Sequence, residues 1–234
     1  MNKSSSLFCT HNPIILFDVE TTGLSSDVDD LIELGAIILS LNQKNTIAKE
    51  ELNCLIKLPE GKHLSAEISK LTGITNEMLE TQGLTQQDAA NTFVDMIEQS
   101  SPDRILFIAH NAHFDISFLN AFLRKNGHSN LADQFDILDT LTILKDRKSY
   151  PHKLSDAITH YKLNEQVENN HRALDDVKAL FAVLSAMAKE TGDLPKYINL
   201  LGYNPRYGAP SNRIPHAVYV PQSYNSPTKL YANT

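Results

Sequence analysis

The chain is short of cysteine, of long apolar runs and of positive charge, and each shortage removes a class of protein. Its two cysteines, Cys9 and Cys54, form no C-x-x-C pair. A disulfide-stapled secreted scaffold and a zinc ribbon are therefore excluded. Apolar runs such as Ala36–Leu39 fall far short of the ~20 residues that a membrane span needs. Met1–Thr10 carries only Lys3 as a basic residue and no apolar core of signal-peptide length, so the expected location is the cytoplasm, with no membrane partner. There are 28 acidic residues against 21 Lys and Arg, a formal net charge of -7. A protein that coats a polyanion does so with basic stripes, which this balance excludes. A protein that touches a few phosphates through metal ions is still allowed. No internal repeat is present.

What is there suits one α/β domain. At 234 residues the chain has the length of one domain with an appendage and can bury a large core. Ile14–Val19 is a wholly apolar run closed by charge, the pattern of a central strand. Leu31–Ser40 and Thr46–Leu58 are further strand candidates. Their links are too short for parallel crossovers, so the three should form an antiparallel meander. Ser65–Leu79 reads as two short helical turns broken at Thr72-Gly73, and Thr85–Gln99 as an amphipathic helix. Pro102-Asp103 precedes a fourth buried strand, Arg104–Ala109. A helix over Ala112–Lys125 stops at Asn126-Gly127. Phe135–Leu138 is a fifth short strand, and Lys153–Tyr161 and Ala173–Glu190 are the last helices. Strands followed by alternating helices and strands make a layered domain with a mixed sheet.

Acids recur where apolar residues are expected. Asp18 and Glu20 stand two apart at the end of the first strand and so share a face. Carboxylates held together beside a core repel one another and lose hydration, which bound cations relieve. Asp115 shares the apolar face of its helix with Leu119 and Phe122. On the last helix Asp176 lines up with Ala173, Leu180 and Leu184, and Asp175 with Ala179, Ala182 and Ala186. Helical spacing leaves both acids open. His110 and Asn111 end the fourth strand, where a helix start offers N–H groups to an anion. His113 reads equally as an exposed first-turn residue. If the sheet gathers Asp18, Glu20, Asp115 and Asp176, four hard oxygen donors converge. That set suits two Mg²⁺ or Mn²⁺ ions and in-line attack of water on a phosphodiester. His171, nearby, would accept the proton.

Three segments carry a resemblance: FDVETTGL (Phe17–Leu24), AHNAHFDISFL (Ala109–Leu119) and HRALDD (His171–Asp176). They resemble the three motifs of DnaQ-like exonucleases. The histidine five residues before the last acid resembles the DEDDh branch. LTGITNEML (Leu71–Leu79) resembles a segment of polymerase III epsilon-type exonucleases. The likeness runs from Ile14 to Glu190.

The resemblance implies a ribonuclease H-like fold, a five-stranded mixed sheet flanked by helices. It implies metal-dependent 3′–5′ hydrolysis of single-stranded 3′ ends, releasing nucleoside 5′-monophosphates. By motif, Asp18, Glu20, Asp115 and Asp176 are the metal ligands and His171 the general base. Asp176, not Asp175, matches the motif acid. Asp18 would bridge both ions, Glu20 and Asp176 complete the inner one, and Asp115 hold the outer. The Thr21–Leu24 turn, with Gly23, resembles the part that approaches the terminal nucleotide, Leu24 meeting its base. Thr72 and His110 fall where relatives contact that nucleotide. Asn111 is placed with them at the helix start. DNA is the expected polymer, with an exoribonuclease of the same fold as the alternative.

The expected boundaries are a leader over 1–12, an exonuclease domain over 13–192 and a tail over 193–234. Residues 200–234 hold five of the ten prolines and five of the eight tyrosines. A helix or central strand is not expected there. The tail either wraps the body or docks on a partner such as a polymerase subunit. His216–Val220 could supply an edge strand in either case.

Overall fold

The computed structural model describes residues 7, 10–41, 46–100, 104–128, 135–167, 171–223 and 228–232. Most of the 1–12 leader, Cys9 and the Pro102-Asp103 break lie outside the described residues. The central sheet has the order β3-β2-β1-β4-β5. Its strands are β1 (Ile14–Thr21), β2 (Leu31–Leu41), β3 (Ile47–Leu55), β4 (Ile105–Ala109) and β5 (Phe135–Asp139). The first three form the antiparallel meander that their short links dictate. β4 joins β1 in parallel and β5 joins β4 in parallel, each after a helical crossover. The sheet is therefore the expected mixed one, flanked by helices.

Alternation along β1 sorts its side chains into two layers. Ile15 and Phe17 face α3 (Gln86–Gln99) and α4 (Ala112–Lys125), packing with Phe93, Ile97, Ile116, Leu119 and Phe122. Phe107 anchors this layer, edge-on to Phe17 at 5.3 Å and to Phe135 at 4.6 Å between ring centres. Ile14 and Leu16 face the other way, onto Val177, Leu180 and Leu184 of α7 (Ala173–Glu190) and Ile143 and Leu144 of α5 (Thr140–Arg147). α6 (Leu154–His160) adds Ala157 and Ile158 to this second layer.

The two helical turns expected around Thr72-Gly73 are α1 (Ala66–Thr72) and α2 (Asn76–Gln82). Ser65, Thr75 and Thr85 each cap a helix start by accepting an N–H three residues on, from Ile68, Met78 and Asp88. Gly73 takes the left-handed turn that ends α1, with φ 71°.

Helix α5 was not anticipated from the sequence. Asp139 at the end of β5 is its cap, accepting N–H bonds from Leu141 and Thr142 at 3.1 and 3.2 Å. The strand thus passes into a helix with no loop between them.

The described residues beyond Glu190 fold onto the body. Leu201 and Ile214 enter the first layer, and Leu194, Tyr197, Leu200 and Leu230 the second. Two short strands lie in this segment, β6 (Leu200–Tyr203) and β7 (Val218–Pro221), paired in parallel as a separate small sheet. The strand foreseen in 216–220 thus pairs with β6, not with an edge of the main sheet. Asn199 covers the β5 edge instead: its N–H donates to the Ile137 carbonyl at 2.8 Å, and its Oδ1 accepts the Ile137 N–H at 2.9 Å. Among the described residues no helix is long and apolar enough to cross a membrane.

Candidate active site

β1 delivers the first two acids. Asp18 pairs across to Gly35 and Glu20 to Glu33 of β2, so all four positions share the face on which α7 lies. Gly35 is required there. A Cβ at this position would run into the Ala173 and Leu174 backbone, so only glycine lets the start of α7 come this close. Asp176, in the first turn of α7, is 6% exposed. Asp115, in the first turn of α4, is 3% exposed and arrives from the opposite layer.

Glu33 fixes the approach of α7. It is fully buried, and Arg172 donates to it from Nε at 3.1 and 3.2 Å and from Nη2 at 2.7 Å. The Ala173 N–H donates to its second oxygen at 3.0 Å. This bidentate clamp sits between His171 and Asp176 in sequence and sets the position of both. Neither Glu33 nor Arg172 stood out in the sequence. The available signal was an acid in the middle of the apolar run Leu31–Leu39.

Burial raises the pKa of the clustered acids, and for Asp18 and Glu20 the charges of their neighbours add to it. Burial, then the charges of Asp115, Asp176, Glu20 and Glu33, push Asp18 well above the carboxylate range. Burial, then Asp176 and Glu33, push Glu20 up to about 8. Burial pushes Asp115 up to about 8, partly opposed by N–H groups of its own backbone and of Val19. One ligand atom each from Glu20, His171 and Asp176 lies within 4.8 Å of the others. Hard oxygen donors, mutual repulsion and desolvation together fit a divalent cation.

His171 is exposed, with φ 57°. Asn111 also takes the left-handed conformation, φ 74°. Histidine and asparagine tolerate it better than most residues, and such strain clusters at functional sites. The helix start was expected to offer N–H groups to an anion, but Asp139 accepts those of Asn111 and Ala112 at 2.9 and 3.2 Å and fixes the turn instead.

Asp18, Asp176, His171, His110 and Asn111 line one cavity of about 650 Å³. Lys145, Lys153 and Tyr150, none of them anticipated, complete its far wall. Tyr150 is 70% exposed. Both ring nitrogens of His110 are engaged by the protein, Nδ1 with the Thr140 hydroxyl at 3.0 Å and Nε2 with the His152 carbonyl at 2.9 Å. Burial lowers its pKa, and Nε2 donates to the carbonyl. The other positions named from sequence lie as follows. Leu24 is 88% exposed and lines a neighbouring cavity, not this one. Thr21 is buried and donates to the Gly23 carbonyl at 2.6 Å. Gly23 packs against the Asp29 side chain. Thr72 is buried, its hydroxyl donating to the Ile68 carbonyl and accepting the Ile74 N–H. It lines neither this cavity nor its neighbour beside Leu24.

A sheet of this order, with acids gathered at the end of its central strand, defines a nuclease class, and comparison with known proteins agrees. A family model described as Exonuclease matches residues 15–184. The chain belongs to the DnaQ-like exonuclease family. It is 32% identical over 89% of its length to a PolC-type DNA polymerase III of Latilactobacillus sakei, of which it spans 14%. It is 33% identical over 76% of its length to the PolC-type DNA polymerase III of Bacillus subtilis, of which it spans 12%. Among solved structures it superposes on the zinc-bound E. coli ExoI–ssDNA complex with TM-score 0.62 and 17% identity, covering 80% of this chain and 43% of that one. Exonuclease I of Methylocaldum szegediense gives TM-score 0.62 and 18% identity, covering 78% and 42%. At these identities the structural likeness shows the fold.

Proposed function

We propose that the chain is a 3′–5′ exonuclease that removes nucleoside 5′-monophosphates from single-stranded 3′ ends, with DNA as the polymer. The observation that carries this reading is the gathering of Asp18, Glu20, Asp115 and Asp176, acids from three separate elements, beside His171. Family membership and the superposition on an exonuclease bound to single-stranded DNA support it. Asp18, Glu20, Asp115 and Asp176 would hold two Mg²⁺ or Mn²⁺ ions. When bound, such ions neutralise the acids and stabilise charge on the phosphate oxygens.

The chain's own groups do the rest. His171, exposed beside Glu20 and Asp176, takes a proton from the attacking water. The new P–O bond forms as the bond to the 3′-oxygen breaks, and that oxygen leaves with the shortened strand. Leu24 offers an apolar contact to a base at the strand end. Stacking on apolar and aromatic groups at about 1–3 kcal/mol per base lets an acidic protein hold a strand end without a basic stripe.

A 5′-labelled single strand incubated with Mg²⁺ tests the reading. The expected result is a ladder shortening from the 3′ end, nucleoside 5′-monophosphate as product, and no reaction with chelator. Shortening from the labelled end, or an intact strand under both metals, contradicts it. A matched RNA strand cut faster than DNA would replace DNA by RNA as substrate. The matching segment of the PolC-type relatives lies within a polymerase chain, which supports a second reading: proofreading beside a polymerase, docked through the C-terminal segment.

A further inference from the structure

A second cavity, of about 380 Å³, adjoins the catalytic one, and Asn111 lines both. One wall is α4, with Phe114 and Ser117, and Leu24 stands at the rim. A second wall, beside α4, is Ser211 and Asn212, and Ser25, Ser26 and Asp27 line the cavity as well. Ser211 and Asn212 lie outside the segment matched by the exonuclease family. We infer that residues 211–213 complete a groove for single-stranded nucleic acid, and that this second cavity takes the nucleotide 5′ to the scissile bond. The inference rests on the exonuclease reading of the catalytic cavity.

In-line displacement supplies the direction. The attacking water and the leaving 3′-oxygen stand on opposite sides of the phosphorus. His171, which takes the proton of the water, lines the larger cavity and not the smaller one. The leaving oxygen, and the strand attached to it, therefore points away from His171, across Asn111 and along α4.

The wall is built as part of the site. Asn212 Oδ1 accepts from His113 Nε2 at 3.2 Å, and Asn212 Nδ2 approaches Ser117 Oγ at 3.4 Å. The Tyr219 hydroxyl meets His113 Nδ1 at 2.8 Å and accepts the Ile214 N–H at 3.2 Å. Burial lowers the His113 pKa, consistent with a neutral ring that donates at Nε2 and accepts at Nδ1. His113 is therefore half-covered by the C-terminal segment and not an open first-turn residue. Phe114 offers a ring edge for a base, and Ser117, Ser211 and Asn212 offer polar contacts to sugar and phosphate. Exposed Arg213 flanks the wall, its guanidinium 5.7 Å from the Tyr219 ring centre. Asp27 lines the same cavity, so an incoming phosphate needs the cation that Arg213 brings beside it.

The test compares two substrates in the full-length protein. The p-nitrophenyl ester of thymidine 5′-monophosphate has no nucleotide beyond the scissile bond, whereas an oligonucleotide does. In the double variant Asn212→Ala/Arg213→Ala, KM and Kd for a single-stranded oligonucleotide should rise about tenfold, with kcat nearly unchanged. Hydrolysis of the ester should match wild type. The salt dependence of oligonucleotide binding, measured by anisotropy in chelator, should weaken by about 0.7 in log–log slope for the lost phosphate contact. Unchanged oligonucleotide binding overturns the groove. Equal losses on both substrates also overturn it, and reduce the segment to structural support for α4. A wild type that binds the oligonucleotide but cuts neither substrate sinks the exonuclease reading instead, and the binding arm still decides the groove.

Discussion

Glu33 is the residue on which the site's geometry turns, though it touches no substrate in the proposed reaction. Its carboxylate ties the start of α7 to β2 through Arg172 and the Ala173 N–H. Breaking a buried pair by deleting one partner costs about 3–5 kcal/mol. Arg172 keeps 33% of its side chain in water, so Glu33→Ala should destabilise by less than a fully buried pair would, about 2–3 kcal/mol. A shift of His171 by about 1 Å is enough to lower kcat about 10²-fold. Urea melts and single-turnover rates check both numbers, and Glu33→Gln should retain part of each. A Glu33→Ala variant with wild-type turnover would remove its positioning role. His171→Ala should slow turnover while sparing binding of Mn²⁺, as measured by paramagnetic resonance. These roles divide by how they could be read. Asp18, Glu20 and Asp115 were legible because acids stood on apolar faces at fixed spacing, whereas spacing left Asp176 level with Asp175 and the motif resemblance chose between them. Glu33 was not, because its partner lies across the chain at Arg172 and only the fold brings them together.

At the scale of elements, β1, β2, α4 and α7 bring like charges together, and the cost of doing so depends on pH. Glu20 and Asp115, each pushed up to about 8, hold protons in the folded metal-free protein that they release in the unfolded chain. The folded state then binds more protons, so stability falls as pH rises from the ordinary carboxylate range, near 4, to about 8. Below that window their contribution to stability is fully present. Thermal melts in chelator should show Tm falling across this range. Mg²⁺ should raise Tm most near pH 8 and little near pH 5. A chelated protein equally stable at both ends would contradict the crowding of acids. Gly35→Ala belongs to the same scale. Its methyl group would meet backbone atoms of Ala173 and Leu174, which cannot swing aside as a side chain can. A loss of about 1–3 kcal/mol is expected in denaturant titration. Apolar runs and turn residues made the strands and long helices readable. Helix α5 escaped because Asp139 both ends a strand and caps a helix, leaving no loop residues between them to mark the change.

For the whole molecule, the C-terminal segment decides whether the family core stands alone. Leu194, Tyr197, Leu200, Leu201, Ile214 and Leu230 are all buried in the two layers. Side chains of this kind contribute about 1.5–3 kcal/mol each on burial. Together they rival the total stability of a typical domain, about 5–15 kcal/mol. A chain ending at residue 192 should therefore lose its cooperative melt, as circular dichroism would show. A truncated chain melting within a few degrees of the intact one would contradict this. The proline and tyrosine content of the segment pointed away from helix but could not say where it packs. Its hydrogen bonds to Asp146 and His113 join positions far apart in sequence.

Beneath all of this stands the claim that four dispersed carboxylates form one seat for divalent ions. Titration of Mn²⁺ followed by paramagnetic resonance addresses it without reference to any substrate. Wild type should bind the ion saturably at pH 8 and release it as the pH is lowered toward 5, and Asp18→Asn should abolish binding while keeping the fold. Binding by Asp18→Asn as tight as by wild type, or no saturable binding by either, would contradict the account.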